Sequence, residues 1–284
     1  MLSQYKAILV IGNGFDLNVG LQTSYKDFLK WETTGKESFK SSYLLKFLKE
    51  KSESNRWIDI ENELRHYSNA ITYPHRENGL DDTRWIGDMK KIFREEYKLL
   101  CSHLKQYLSE VQKSLWLTNS KAAVIFYKLE KEFKNLYIVN FNYTDTIKKL
   151  EPEGKDTVVH HIHGSLNSDG FVFGIQDSCE INPEHSFLYK SYNPFLNVNH
   201  LNERFDDAEN IVFFGYSLGQ TDHSYFDDFF KQQSSAGCKR KNFTFYYYGQ
   251  EAYDDLYWQL RTLTDKRIAK FKQFNNVSFE NVKS

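Results

Sequence analysis

The sequence predicts an α/β fold with a mostly parallel sheet and a helical insertion, and three observations predict it. The run Ala7-Ile8-Leu9-Val10-Ile11 is continuously apolar and ends in Gly12-Asn13-Gly14, as a buried strand entering a sharp turn does. Short β-rich runs bounded by turn residues return only from Leu136 onward. Between them, Lys, Glu, Leu and Tyr dominate and apolar residues recur at three- and four-residue spacing.

Taken in order, Leu17–Leu29 has helical spacing, so the glycine turn would open onto a helix N-terminus whose amides and positive end favour phosphate. The full dinucleotide fingerprint G-x-G-x-x-G is not met, because Leu17 stands at the third glycine position and the next glycine is Gly20. Tyr43–Lys51, Asp88–Leu115 and Lys121–Phe133 read as helices in a region whose one proline is Pro74. Met89, Ile92, Phe93, Tyr97, Leu100, Leu104, Leu108 and Val111 form one core-facing stripe. Strands are expected at Leu136–Asn140, Val158–Ile162, Gly170–Phe173, Asn210–Phe214 and Phe243–Tyr248, then a helix at Glu251–Leu263 and a charged tail. The sheet portion is thus 1–29 with 135–284, and the helical insertion 30–134.

Composition narrows the function. The 284 residues allow one large α/β domain carrying an insertion, and 17% aromatics predict a core built on Phe and Tyr. A net charge of −1 leaves no bulk electrostatic footprint for nucleic acid, and Lys239-Arg240-Lys241 reads as a solvated turn. Cys101, Cys179 and Cys238 are widely spaced, with no C-x-x-C pair for a structural zinc, which suits a reducing cytoplasm. No apolar run approaches the roughly 18 residues of a membrane span, and no signal-peptide core precedes the first strand. The expected setting is cytoplasmic, with neither membrane nor metal.

Polar clusters sit at the strand ends, where ligands bind in open α/β sheets. At the first, Asp16 either caps the helix that follows or accepts bonds from ribose hydroxyls. The second, Asn140-Phe141-Asn142-Tyr143-Thr144-Asp145-Thr146, forms an Asx turn or offers neutral donors and acceptors to a ligand. In the third, His160-His161-Ile162-His163-Gly164, strand alternation puts His161 and His163 on one face, and His163 at the strand end suits a general base. The fourth, Gly215-Tyr216-Ser217-Leu218-Gly219-Gln220-Thr221-Asp222-His223, contains Gly-x-Ser-x-Gly, but adjacent Asp222 and His223 do not make a triad with Ser217. Trp57-Ile58-Asp59-Ile60-Glu61 reads as an acidic helix start whose two carboxylates, spaced i,i+2, do not face each other.

In this order the elements Ile11-Gly12-Asn13-Gly14-Phe15-Asp16-Leu17, Thr23-Ser24-Tyr25, Trp57 to Glu61, Phe141-Asn142-Tyr143-Thr144, His161-Ile162-His163-Gly164 and Gly215 to Asp222 resemble the AbiH family of phage abortive-infection proteins. More distantly they are similar to sirtuins, whose Rossmann-like domain also carries an inserted smaller domain. His163-Gly164 stands where sirtuins have the catalytic-base H-G dipeptide, and Gly215-Tyr216-Ser217-Leu218 where they have a ribose-contacting G-T-S-L loop. Zinc-binding cysteine pairs are missing, Gln22 replaces a proline and Thr144 an aspartate, so protein deacylation is not expected.

The resemblance implies phage defence and NAD or a related nucleotide as substrate, with hydrolysis of the nicotinamide–ribose bond. His163 would act as base, Asn142 would position the attacking water or ribose hydroxyl, and Asp16 would stabilise the oxocarbenium-like transition state. Gly12, Asn13, Gly14, Phe15, Thr144, Gly215, Ser217 and Leu218 would hold the nucleotide, the glycine turn taking the pyrophosphate. Two other functions remain open, the first needing the same glycine loops but not His163. One is a non-catalytic nucleotide-sensing module acting on a second copy or on a partner of a defence system. The other is a metal-dependent nuclease built on His161, His163 and Asp16.

Overall fold

The computed structural model describes residues 6–34, 41–54, 58–72, 83–114, 116–153, 157–168 and 170–283, with only the backbone at 72 and 83–90. Its frame is a six-stranded parallel sheet made of β1 (Ala7–Ile11), β2 (Leu136–Asn140), β3 (Val158–His161), β4 (Asn210–Phe214), β5 (Asn242–Tyr247) and β6 (Asn276–Asn281). Their spatial order, β3-β2-β1-β4-β5-β6, is that of doubly wound dinucleotide folds, with the chain reversing direction across the sheet between β1 and β4.

Alternation along the strands explains why β1 is apolar throughout and β2 is apolar up to Asn140. Ile8, Val10, Tyr137, Val139, Ile211, Phe213, Phe243 and Phe245 face one side, under Phe205, Phe226, Phe230, Leu256 and Leu260. Ala7, Leu9, Ile11, Leu136, Ile138, Val212 and Phe214 face the other, against Phe15, Ala122, Ala123 and Phe126. A sheet covered on both faces has no solvent side on which to put polar residues.

A third core joins the helices Tyr25–Thr33, Tyr43–Ser54, Ile60–Thr72 and Thr83–Val111 through Phe28, Leu45, Leu64, Phe93, Leu100 and Leu104. Tyr143, Leu166, Phe173, Ile175 and Phe187 reach into it from beyond β2, whereas the helix Lys121–Glu132 packs on the sheet. Within the expected stripe Phe93, Leu100, Leu104 and Leu108 are buried, but Ile92 is exposed. Trp57, Pro74 and Leu115, and the side chain of Met89, lie outside the described residues.

Four elements differ from expectation. Leu17–Leu29 is not one helix: a short helix Asn13–Asn18 stops at Gly20 (φ 95°), and Ser24 caps the next by accepting from the Asp27 amide at 3.1 Å. Gly170–Phe173 forms no strand, only an isolated bridge from Phe171 to Gly164, because Phe171 and Phe173 both turn toward the helical core. The charged tail is instead a helix, Ile268–Phe274, and the edge strand β6, whose alternating Val277 and Phe279 pack on the core. Lys241 is not solvated: it is buried, and its ammonium donates to the carbonyls of Asp206 and Ala208 at 2.7 and 2.6 Å. Among the described residues no helix is long and apolar enough to cross a membrane.

Candidate functional site

Register brings the polar clusters to one rim. Ile11 pairs with both Asn140 and Phe214, Asn140 with His161, and Phe214 with Tyr246, so the ends of β3, β2, β1 and β4 are level and β5 runs one residue further. The ladder runs one residue further through Phe141 N–H to Ile11 O (3.0 Å), Ile162 N–H to Asn140 O (3.0 Å) and Gly215 N–H to Tyr246 O (3.2 Å). Above the rim is a cavity of about 770 Å³, closed from the helical side by Tyr25, Asp59, Glu61, Leu104 and Leu108. That is within the ~300–1,000 Å³ typical of small-molecule and cofactor sites.

The glycines are explained first by the chain's own packing. Gly14 donates its amide to Gly215 O at 2.8 Å, and Gly12 donates to Phe214 O at 3.3 Å. A Cβ on Gly14 would lie 2.6 Å from Gly215 Cα, and one on Gly12 would lie 2.7 Å from the Tyr216 ring. The two glycine amides are therefore committed to the sheet, and the helix that follows is only six residues long. An open pyrophosphate cradle, as the glycine pattern alone implies, is not what they build.

Asp16 is not a helix cap. Its oxygens accept from the hydroxyls of Thr144 and Thr146, both at 2.5 Å, and burial raises its pKa to about 6 against the pull of those bonds. Asn140 closes the expected Asx turn by accepting from the Asn142 amide at 2.8 Å, and the Asn142 side chain donates to Gly12 O at 2.9 Å. Asn13 accepts from Thr23 at 2.5 Å. Asp16, Asn13, Asn142, Thr144, Gly12, Gly14, Gly215 and Ser217 all line the cavity, whereas the side chains of Phe15 and Leu218 are fully buried in the core.

The three histidines have three different roles. His160 donates from Nε2 to Asn197 O at 2.9 Å and accepts at Nδ1 from the Tyr137 hydroxyl at 2.6 Å, which fixes a neutral tautomer in the core. The strand ends at His161, so alternation no longer relates it to His163. His161 contacts Asn142 O at 3.1 Å and Asp145 at 3.4 Å. His163 enters the cavity wall with Nε2 3.3 Å from Oδ1 of Asp222 and 3.4 Å from the Tyr225 hydroxyl, its ring edge-on to Phe141. Nδ1 of His163 has no hydrogen-bond partner among the described residues. Burial, and after it the charge of Lys190, hold its pKa below the ordinary 6.5 despite Asp222.

Asp222 is the site residue that motif reading passed over. Its Oδ2 accepts from the Tyr216 hydroxyl at 3.0 Å, and its Oδ1 lies 2.8 Å from Lys190 Nζ, which also lies 2.9 Å from Glu61. Burial opposes the charge on Asp222, but Lys190 and His163 outweigh it and keep the carboxyl well below the usual range. One ammonium cannot neutralise two buried carboxylates, and Glu61, with fewer donors, is pushed up by burial. His223 points elsewhere, from Nε2 to Leu218 O at 3.0 Å and Gln259 at 2.8 Å, so Ser217 has no histidine partner. Asp59 caps the helix Ile60–Thr72, accepting from the Asn62 amide at 3.2 Å, and lines the cavity with Glu61. The signal for Asp222 lay in its own loop, but its partner His163 is fifty-nine positions upstream. Lys190 belongs to no motif.

The lining carries six carboxylates (Asp16, Asp59, Glu61, Asp222, Glu251 and Asp255) and, among the described residues, neither Lys nor Arg. Aromatic faces accompany them: Tyr216 stacks on Phe141 with centroids 4.2 Å apart, and Tyr25 and Tyr143 line the same wall. An electron-poor, positively charged ring suits such a surface. Among the described residues no three His, Cys, Asp or Glu side chains converge as a metal-holding group, and His161 and His163 have separate carboxylate partners.

A family model described as bacteriophage abortive infection AbiH matches residues 8–276. No curated protein matches the chain.

Proposed function

The chain belongs to the AbiH family of bacteriophage abortive-infection proteins, and from that premise we propose that it serves phage defence by binding NAD in the cavity at the strand ends and hydrolysing its nicotinamide–ribose bond. The observation that carries this reading is the Asp222–His163 pair in the wall of a carboxylate- and tyrosine-lined cavity at the switch point of the sheet. With its proton on Nε2, 3.3 Å from Asp222 Oδ1, the imidazole presents Nδ1 as a base.

In the step itself, Nδ1 of His163 takes a proton from water as its oxygen bonds to C1′. The C1′–N bond breaks with its electron pair going to the nicotinamide nitrogen, and ADP-ribose and a proton are released. The ring enters as a cation and leaves neutral, so positive charge moves onto the ribose in the transition state. Asp16, ionised above about pH 6, favours that charge. With the Gly12 and Gly14 amides committed, the pyrophosphate is met by Asn13 and by the hydroxyls of Ser217 and Thr221, which also line the cavity.

The test combines calorimetric titration of NAD with chromatography of nicotinamide and ADP-ribose, on the purified protein and on His163→Ala. Losing a general base costs about 10²–10⁴-fold in rate, so turnover falls by that factor while binding persists. Binding without turnover in the unsubstituted protein favours a sensing role, and no binding refutes the reading.

A further inference from the structure

Lys190 lines no part of the cavity, yet it joins the two sides that do. Its side chain is buried, with Nζ 2.8 Å from Asp222 Oδ1, 2.9 Å from Glu61 Oε2 and 3.0 Å from Thr221 O. Asp222 comes from the loop after β4, and Glu61 from the first turn of the helix Ile60–Thr72. The backbone of Lys190 is itself pinned. It donates to Ile175 O at 2.9 Å, and Ile175 donates to Leu188 O at 2.8 Å. The Asp222 oxygen that Lys190 holds is the same one that faces His163. Burying a long cationic side chain costs desolvation and rotamer freedom, which two carboxylates and a carbonyl on one ammonium offset.

We propose that Lys190 is the positioning residue of this site, holding Asp222 in line with His163 and making that alignment depend on Glu61, and so on the docking of the helical portion against the sheet. The proposal rests on His163 acting as the base.

The groups facing His163 fix the expected direction. Asp222 and Tyr225 approach from the turn Gln220–Tyr225, Phe141 and Tyr143 from the loop after β2, and Lys190 with Glu61 behind it from the helical side. Asp222 draws a proton onto the imidazole, and the Lys190 charge opposes it. Without Lys190 the balance moves toward the imidazolium, and a protonated base is idle.

The experiment is an NMR titration of the His163 ring in ligand-free protein, its signal assigned by its loss in His163→Ala. Because no NAD is present, failure of the NAD reading leaves the result interpretable. Lys190→Met raises the His163 midpoint by about one pH unit or more, a tenfold gain in proton affinity, and Lys190→Arg leaves it within about 0.3 unit. Lys190→Met combined with Glu61→Gln removes one charge of each sign, keeps the buried balance, and gives the same upward shift if the single variant fails to fold. An unmoved midpoint in the folded double variant overturns the proposal, as does an Arg variant that shifts as far as Met. A double variant that cannot fold also overturns it, since the role of the lysine would then be structural.

Discussion

Gly14 and Gly215 meet backbone to backbone at the switch point, the Gly14 amide on the Gly215 carbonyl at 2.8 Å, with no room for a side chain on either. Gly215 also has φ +59°, a left-handed conformation that a Cβ disfavours. The loops after β1 and β4 are thus locked together, and that lock sets the floor of the cavity.

Gly215→Ala combines the left-handed strain with a Cβ 2.4 Å from Gly14 C. We expect a loss of ~3 kcal/mol or more, in the class of overpacked and conformationally strained sites. Urea unfolding followed by circular dichroism checks it, and a loss below about 1 kcal/mol would mean that the two loops separate easily.

Asp16 gives a pH signature. Its folded-state pKa is raised from 3.8 to about 6, so its contribution to stability is fully present below 3.8 and is lost as pH rises through about 6. The displacement is worth on the order of 2–3 kcal/mol. Asp16→Asn removes the buried charge, so the variant should be the more stable protein near pH 8 and should lose that advantage near pH 4. Paired thermal melts across this range measure the difference. An advantage independent of pH contradicts the burial of an ionised Asp16.

The proposed base, His163, sets an expected rate profile. Because the pKa of His163 is held below 6.5, hydrolysis should fall on an acid limb below pH 6.5 and be flat through neutrality. Asp222→Asn removes the negative charge facing Nε2 while leaving Lys190 paired with Glu61. That variant should lose about 10²-fold or more in kcat with little change in KM. Steady-state kinetics from pH 5 to 9 test both statements, and an acid limb above pH 7 would contradict the first.

Tyr216→Phe isolates one bond. The hydroxyl donates to Asp222 at 3.0 Å while the ring stacks on Phe141. Losing a hydrogen bond to a buried charge should cost about 1.5–3 kcal/mol, with the stacking intact. Chemical denaturation reads the cost, and a neutral substitution would mean that Lys190 and His163 hold Asp222 unaided.

The sheet was legible because β1, β2 and β4 are apolar on both faces, and their ends carry Gly12, Asn140 and Gly215 at the places where backbone or ligand must come close. Strand β6 was not, since Val277 and Phe279 are only half-buried among polar neighbours and an edge strand needs no continuous apolar run. Within the site, His163, Asn142 and Asp16 stand out because they follow strands directly. Asp222, Glu61 and Lys190 do not, because their pairing is fixed by how the segment 170–192 crosses from the helical core to the sheet. Glycine spacing also misleads: Gly12 and Gly14 mark a close approach, but what approaches is Gly215 and Tyr216.

Whether the protein defends by cleaving NAD at His163, as proposed, is decided by NAD measured in phage-infected cells carrying the protein or its His163→Ala variant. On this reading NAD falls after infection, with nicotinamide rising in step, only where His163 is present, and protection is lost with the variant. NAD that stays level in protected cells, or protection that survives in His163→Ala, would contradict it.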